Sequence, residues 1–468
     1  MRHLHPLSKY PGPFLASLSN TYKAYYVYNL NLHEKLLSLH KTHGPVIRIG
    51  PNHLHTWAGD AIAPIYKAGR TMPKSEYYDA FTAFNPNLFG GRDEAVHALR
   101  RRQLAHGFAQ SSIVKLERLI EAPMAVLVEK LNGFAVRAEE EEEVFDFKEV
   151  LALYVLDILG EVAFGKSFGA QRKGASEELH AIGDHLLLSG VIGELPGQNV
   201  TKLLARLSPV PWMRRLVKSR EALKRICAGC VRFKIENPSD RPDLLKSLVE
   251  AVDPESGEGV AGSHSTAGTL TFLLWHLIHN PPMLARVQAE IDDKLGPLRE
   301  GQISYPITGL EASLPYTMAC VRENFRMNPV FSMPLWRTVR HPGGVDIAGG
   351  NVPYGTNICI SNYVLHHNPS IWGADHDEFK PARWLDEKYA KERGRYLIPF
   401  SVGHRQCIGR NLGMTNLLKS VTALVSLFDF EAVDAGEKAG MRSVRLLSSG
   451  IGEMEGPFMV RVRVRKRQ

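Results

Sequence analysis

The chain has 468 residues, of which 44% are hydrophobic, 23% charged and 9% aromatic, a balance that excludes disordered and collagenous classes and fits a globular protein. Its formal charge of +8 admits acidic partners. The basic residues are dispersed rather than gathered into one tract, apart from the tail Arg461 to Arg467, so no nucleic-acid binding is expected.

In chain order, Pro11-Gly12-Pro13 opens with turn signals, helical spacing follows from Leu30 to His40, and Gly44 to Pro51 reads as a short strand. Apolar residues recur at helical spacing from Glu94 to Ile120 and again from Val144 to Val162. Residues 171 to 250 predict amphipathic helices broken at Leu195-Pro196-Gly197 and Pro209-Val210-Pro211, with Asn237-Pro238 and Arg241-Pro242 closing one before Asp243 to Val252. After Ser265 a helix runs to His279, and a new one starts at Pro281-Pro282 and reaches Leu295. In the last third a helix from Met318 to Met327 precedes Pro329, and strand-like pieces follow up to Ile360. Irregular backbone through Pro369, Gly373, Pro381 and Trp384 then leads to Pro399 and a final helix from Ile408 to Leu427. The expected fold class is mainly α with a minor β region (α+β). With no linker, internal repeat or long low-complexity tract, residues 1–468 read as a single large domain.

Several patterns carry little chemistry. Gly257 to Gly262 matches the G-x-G-x-x-G dinucleotide loop, but the turn Asp253-Pro254-Glu255-Ser256 stands where a strand should precede it, and Pro281-Pro282 where the ribose carboxylate should follow. Cys227-Ala228-Gly229-Cys230 has no second pair at zinc spacing and reads as two core thiols. Five cysteines in so long a chain are no disulfide framework and imply a reducing compartment. His366-His367 cannot both face one ligand, and Glu139 to Glu143 reads as a solvated loop. The greasiest run, Leu270 to Ile278, is interrupted by Thr271 and His276 and falls short of the roughly 18 apolar residues of a membrane span. No anchor or signal peptide is expected.

The informative segment is Phe400-Ser401-Val402-Gly403-His404-Arg405-Gln406-Cys407-Ile408-Gly409. A cysteine ahead of a long helix sees unpaired N–H groups and the positive end of the helix dipole, which favour a thiolate, and a thiolate is a strong iron ligand. Gly403 allows a tight turn, Gly409 a close approach to a flat ligand, Arg405 can neutralise a carboxylate on that ligand, and Phe400 can shield the sulfur. The segment resembles the F-x-x-G-x-R-x-C-x-G haem loop of the cytochrome P450 monooxygenases at every fixed position. Glu323-Asn324-Phe325-Arg326 resembles the family's E-x-x-R helix, and Pro381-Ala382-Arg383-Trp384 its P-x-R-[FW] segment, which together imply a buried network of Glu323, Arg326 and Arg383. His97 and Arg101 resemble the [WH]-x-x-x-R pair that holds a haem propionate, and Arg337 stands where the family places another propionate arginine. The likeness runs from the 1–45 hinge and first helix, through the 398–412 thiolate loop and start of the last helix, to Gly456-Pro457. It is closest to fungal members of secondary metabolism.

This resemblance implies haem b (iron protoporphyrin IX) with Cys407 as the axial metal ligand. It implies hydroxylation of a lipophilic small molecule with O2 and electrons from NADPH-cytochrome P450 reductase, cytochrome b5 being a second donor, in a monomeric enzyme. Location at the cytoplasmic face of the endoplasmic reticulum follows by resemblance, the chain as given, which starts at the hinge, being expected to be peripheral or soluble. Arg100, Arg102, Lys115 and Arg118 read equally as a docking face for an acidic flavin domain or as solvated charges. Where the family carries [AG]-G-x-[DE]-T-[TS], this chain reads Ala261-Gly262-Ser263-His264-Ser265-Thr266. His264, Ser265 and Thr266 are the catalytic candidates, with His264 in place of the relay acid. A turn at Asp253 to Gly259 replaces roughly four turns of preceding helix, about 15 residues. The alternatives are a protein of this fold with impaired or non-oxygenase activity, a non-catalytic haem-binding protein, and a nucleotide-binding dehydrogenase. Loops near Tyr77 to Leu88 and Leu186 to Leu195 are the expected pocket linings.

Overall fold

A computed structural model of the chain describes residues 5–82, 87–141, 143–237, 243–244, 261–433 and 444–466. Helices dominate, and four small sheets lie at their margins. In the four-stranded sheet, Val46–Gly50 pairs antiparallel with His53–Thr56, which pairs parallel with Asn357–Cys359, whose other edge takes Arg337–Thr338 antiparallel. Met459–Val464 lies between Phe145–Asp146 and Phe428–Ala432, and a hairpin of Leu446–Ser448 with Gly452–Met454 rests on the helix Ala261–Ile278. The mainly α, single-domain α+β reading holds.

The centre is a pair of nearly all-apolar helices, Phe147–Phe164 and Ala261–Ile278, packed on each other. Leu151, Tyr154, Leu156, Phe272, Leu273 and Leu277 are buried, as befits helices hydrophobic on more than one face. Asp146 accepts from the Lys148 amide at 3.0 Å to start the first, and Gly165 at φ 68° ends it. The helix Arg410–Leu427 is buried over Met414 to Ser426. Its one interior ammonium, Lys419, is satisfied by Glu117 at 2.6 Å, Glu121 at 3.3 Å and the Tyr305 carbonyl at 2.8 Å.

Several boundaries differ from expectation. The stretch from Glu94 to Ile120 is divided into Glu94–Ala105, Gln110–Lys115 and the start of Glu117–Glu141. That third helix continues through Pro123 and takes in Glu139 to Glu141, where a solvated loop is expected from the acidic run. An internal proline costs about 3 kcal/mol, but Leu119, Ile120, Met124, Leu127, Leu131 and Ala135 are all buried along one stripe, and each large apolar side chain returns about 1.5–3 kcal/mol. Burial wins. The helix expected after Ser265 begins at Ala261, so His264 is helical. The turn at Asp253 to Gly259 lies outside the described residues, as does most of Asp243 to Val252.

Many histidines are interior and neutral. His40 donates from Nδ1 to the Gly44 carbonyl at 2.7 Å, so its Nε2 accepts from His55 Nδ1 at 2.6 Å, and His55 Nε2 accepts the Ser361 amide at 3.1 Å. His366 likewise donates to the Phe325 carbonyl at 3.1 Å and accepts the Ile398 amide at 3.1 Å. An added proton would destroy one acceptor in each ring. Burial is the main cause that holds His40 down at about 4 and His366 at about 3, and pushes His55 well below its ordinary value.

The unfolded chain binds protons near pH 6.5 while these rings refuse them, so their stabilisation is complete above about 6.5 and is lost as pH falls. At pH 5 each ring held neutral costs about 2 kcal/mol relative to neutral pH. The urea midpoint should therefore drop markedly between pH 7.5 and pH 5.0, before carboxylates titrate; a flat midpoint over that interval would contradict the neutral-histidine assignment.

Candidate active site

The loop ahead of the last helix is held by a relay that starts at a buried carboxylate. Glu323, on the helix Pro315–Met327, is fully buried and accepts from Arg326 Nε at 3.0 Å and Nη2 at 2.8 Å, and from Arg383 Nε at 3.1 Å. The Trp384 indole at 2.8 Å and the Lys380 amide at 2.9 Å complete its shell. Glu and Arg three residues apart share a helix face, which here points inward. Arg326 also donates to the carbonyls of His366 at 3.2 Å and Glu378 at 2.8 Å. His366 holds the Ile398 amide, and the Ile398 carbonyl accepts from Ser401 at 2.9 Å. The Phe400 carbonyl then accepts from the Cys407 amide at 2.9 Å, closing the loop.

Within that loop Gly403 adopts φ +78°, and a Cβ there would lie 2.3 Å from the Tyr66 carbonyl. Only glycine satisfies both demands. Gly409 is the N-cap of the helix Arg410–Leu427, and a Cβ on it would meet nothing closer than Cys407 Sγ at 3.9 Å, leaving a bare face beside the sulfur. The Phe400 ring stands edge-on to Phe325 at 5.3 Å. Cys407 is the exposed residue among five free cysteines; Cys227, Cys320 and Cys359 are buried and Cys230 is half-buried. Cys407 lies two residues before the helix cap, and desolvation raises its pKa above the ordinary thiol value against the opposing Gly409 amide and Arg101 charge.

Arg101 acts on this sulfur, and His97, Arg405, Lys74 and Arg337 lie within electrostatic reach of one another around it in the same cluster of basic side chains. His97 is buried on the helix Glu94–Ala105, and Arg101, one turn on, donates to the Gln406 carbonyl at 2.6 Å. Arg337 is buried, donating to the Tyr78 hydroxyl at 3.1 Å and to the carbonyls of Leu335 at 3.4 Å and Trp336 at 3.1 Å. Burial first, then Arg405 and Lys74, holds His97 neutral with a pKa of about 3. Arg405 is flanked by Glu94 and donates to the Gly91 carbonyl at 2.9 Å. Its Nη2 and Nε lie 2.9 and 3.1 Å from the two Glu94 oxygens, and His404 Nε2 is 2.9 Å from Glu94. Lys74 and Glu94 were missed from sequence; a lysine in Pro73-Lys74-Ser75 carries no local signal, because its neighbours come from distant segments.

On the helix Ala261–Ile278, His264, Ser265 and Thr266 follow one another at half-buried positions. Burial lowers the His264 pKa while the Glu453 charge from the Gly452–Met454 strand raises it. That strand comes so close that a Cβ on Gly268, one turn beyond His264, would lie 2.8 Å from the Gly452 carbonyl. Glu453 is a further residue invisible to local sequence reasoning. The two expected pocket segments do meet: Glu76–Phe81 packs on Glu177–Gly193, with Gly193 against the Tyr77 ring. Tyr78, Phe81, Phe89 and Phe331 continue the aromatic wall at 5.3–5.9 Å between ring centres.

A cytochrome P450 family model matches residues 6–448. The chain belongs to the cytochrome P450 family. Pisatin demethylase of Fusarium vanettenii is 29% identical over 445 residues, covering 91% of this chain and 85% of its own. Cytochrome P450 monooxygenase cicH of Emericella nidulans is 30% identical over 460 residues, covering 90% and 88%. Benzoate 4-monooxygenase bphA of Aspergillus niger is 26% identical over 468 residues, covering 91% and 88%. This cytochrome P450 is thus an oxidoreductase of the monooxygenase class, and the family implies haem iron with a cysteine thiolate ligand.

The residues of this P450 fit such a group. A dianionic, planar, iron-bearing ligand calls for an unpaired thiol, a side-chain-free face beside it and excess positive charge, and Cys407, Gly409 and the basic cluster offer all three.

Removing one partner of a buried ion network costs about 3–5 kcal/mol. Glu323→Gln should therefore lower the thermal midpoint of the purified protein sharply, whereas Glu378→Gln, which changes a residue that contributes only its carbonyl, should not. Equal midpoints for wild type and Glu323→Gln would remove the network from its supporting role.

Proposed function

We propose that this chain is a haem b monooxygenase with Cys407 as the axial ligand, oxidising a lipophilic small molecule in secondary-metabolite biosynthesis. The observation that carries the reading is the Cys407 loop, in which a free thiol, the bare face of Gly409 and a cationic wall converge. Haem when bound supplies oxygen activation for attack on a C–H bond. The protein's share is positional and protic. Phe400 screens the sulfur from water, and His97, Arg101 and Arg337 hold carboxylates. The wall of Tyr77, Phe81 and Phe331 gives an apolar substrate an orienting, water-excluding surface.

Proton delivery falls to His264 and Ser265. A neutral imidazole accepts at one nitrogen and donates at the other, so His264 can pass a proton that it receives from the side of Glu453 toward the Ser265 hydroxyl. A second reading, impaired or non-oxygenase activity, is favoured by the same substitution of imidazole for carboxylate at 264. Substrate-dependent NADPH consumption separates the two.

Electrons reach the site from NADPH-cytochrome P450 reductase, with cytochrome b5 as a second donor. The exposed Arg102, Lys115 and Arg118 support an acidic partner docked on that face. Among the described residues no helix is long and apolar enough to cross a membrane. Exposed Phe14, Leu15 and Leu18, and Val200, Leu203, Leu204 and Leu207 on the helix Gln198–Leu207, support peripheral contact with the endoplasmic reticulum surface.

The deciding measurement is the absorption spectrum of the reduced, carbon monoxide-bound protein. Wild type should give the strongly red-shifted Soret band of thiolate ligation. Cys407→Ser should bind haem without that band or lose it altogether, and a wild-type band at the histidine-ligated position would overturn the assignment.

A further inference from the structure

Arg220 is a buried cation with no carboxylate partner, and it lies on the seam between the two segments expected to line the pocket. The breaks at Leu195-Pro196-Gly197 and Pro209-Val210-Pro211 fold the helices Glu177–Gly193, Gln198–Leu207 and Pro211–Glu236 back on one another, and Glu76–Phe81 packs against the first two. From the third of these helices Arg220 reaches across the seam. Its Nε donates to His185 Nδ1 at 3.2 Å, and its Nη2 to the Ser189 hydroxyl at 2.7 Å and the Ala80 carbonyl at 3.2 Å. Among the described residues its Nη1 has no partner. Lys202, half-buried on Gln198–Leu207, comes to the same turn and donates to the Thr82 carbonyl at 3.5 Å.

Neither cation makes an ion pair among the described residues, because the acids of these elements are engaged elsewhere or face water. Asp184 is taken by Arg215 at 3.3 Å and Ser219 at 2.7 Å, Asp79 by Arg92 at 2.8 Å, and Glu221 is exposed. His185 offers only a neutral acceptor, since burial and then Arg220 hold it down at about 3. Burial lowers Lys202 as well, and Arg220 lowers it further. Arginine stays charged at neutral pH wherever it is placed, and buried charges are ordinarily paired. Beside this seam stands the aromatic wall, where Phe81 meets Tyr77 at 5.4 Å and Phe89 at 5.3 Å. An apolar surface that ends at two cations without an anion is complementary to a molecule with an apolar body and one acidic end.

We propose that Arg220, assisted by Lys202, determines substrate specificity by binding a carboxylate of the substrate, so that this chain oxidises lipophilic carboxylic acids. The proposal rests on the monooxygenase reading above and narrows its substrate class. A carboxylate matches the planar fork of a guanidinium in a way that a single hydroxyl or carbonyl does not. The neutral contacts to His185, Ser189 and Ala80 hold the fork in place before the acid arrives, and the unpartnered Nη1 and the Lys202 ammonium supply donors to it.

The test titrates haem-loaded wild type, Arg220→Leu, Arg220→Lys and Lys202→Gln with decanoate and 6-phenylhexanoate and with the primary amide of each, by calorimetry and by the shift of the ferric Soret band. Wild type should bind each acid at least about tenfold tighter than its amide, the contribution of one charge-assisted hydrogen bond, and high salt should shrink that preference. Arg220→Leu should bring acid and amide within about twofold of each other while amide affinity stays within about threefold of wild type. Arg220→Lys, with the charge but not the fork, should fall between the two, and Lys202→Gln should lose about threefold of the preference. An acid that wild type binds no tighter than its amide would overturn the proposal, as would an acid preference that survives in Arg220→Leu. If Arg220→Leu loses amide binding too, Lys202→Gln decides, and an undiminished acid preference there overturns the proposal. A wild type whose reduced, carbon monoxide-bound spectrum lacks thiolate ligation would overturn the haem reading instead, so the two failures are distinguishable.

Discussion

A carboxylate taken wholly out of water must be surrounded by donors, and Glu323 meets that demand in a way that organises the rest of the C-terminal third. Two guanidinia, an indole and a backbone amide converge on its two oxygens. Each donor belongs to a segment with little regular structure of its own. Arg383 fixes Asp375 through its side chain at 3.2 Å and its carbonyl at 3.0 Å. Arg326 fixes the turn at Glu378 and the end of the short helix at His366. From His366 the constraint passes by a single amide to Ile398, and thence to the Cys407 loop. Irregular backbone is thereby made rigid without a sheet or helix, which a metal-binding thiol requires. The network is also vulnerable, because every member depends on the others for satisfaction.

What the sequence made legible follows the range of the interactions involved. The thiolate loop and the Glu323–Arg326 pair are written within ten residues, where spacing alone places groups on one face or one turn. Gly403 was readable as a turn, but the reason that nothing larger fits, the Tyr66 carbonyl, lies far upstream. Lys74, Glu94 and Glu453 act across long sequence separations, so no period or motif marks them. The helix Glu117–Glu141 was obscured for a different reason: Pro123 signals a break, and only the tertiary burial of Leu127, Leu131 and Ala135 overrides it.

The charge pattern of the site refines the initial reading of a basic chain. A formal +8 spread over 468 residues says nothing about the interior, yet Lys74, Arg337, Arg101 and Arg405 are concentrated where low dielectric makes like charges costly. Glu94 offsets one of them. His97 remains neutral because the surrounding cations and burial act in the same direction. Lys74 is lowered well below the usual lysine value for the same two reasons, burial first and then Arg337 and Arg405.

Such a site is incomplete as a set of protein groups. Several buried cations elsewhere have their anions: Lys23 meets Glu194 at 2.8 Å, Lys419 meets Glu117 and Glu121, and Arg326 meets Glu323, whereas Arg220 is held by His185, Ser189 and the Ala80 carbonyl. Near the cysteine loop Lys74 and Arg337 are likewise held by carbonyls, a hydroxyl and rings, and a ligand dianion would supply the negative charge that this cluster lacks. Anything that binds the folded chain alone stabilises it in proportion to the logarithm of its concentration over its dissociation constant. A dianion seated among unpaired cations is therefore part of the folding equilibrium as well as of the chemistry. The cluster that would hold the cofactor is thus also the part of the fold that gains most from its presence.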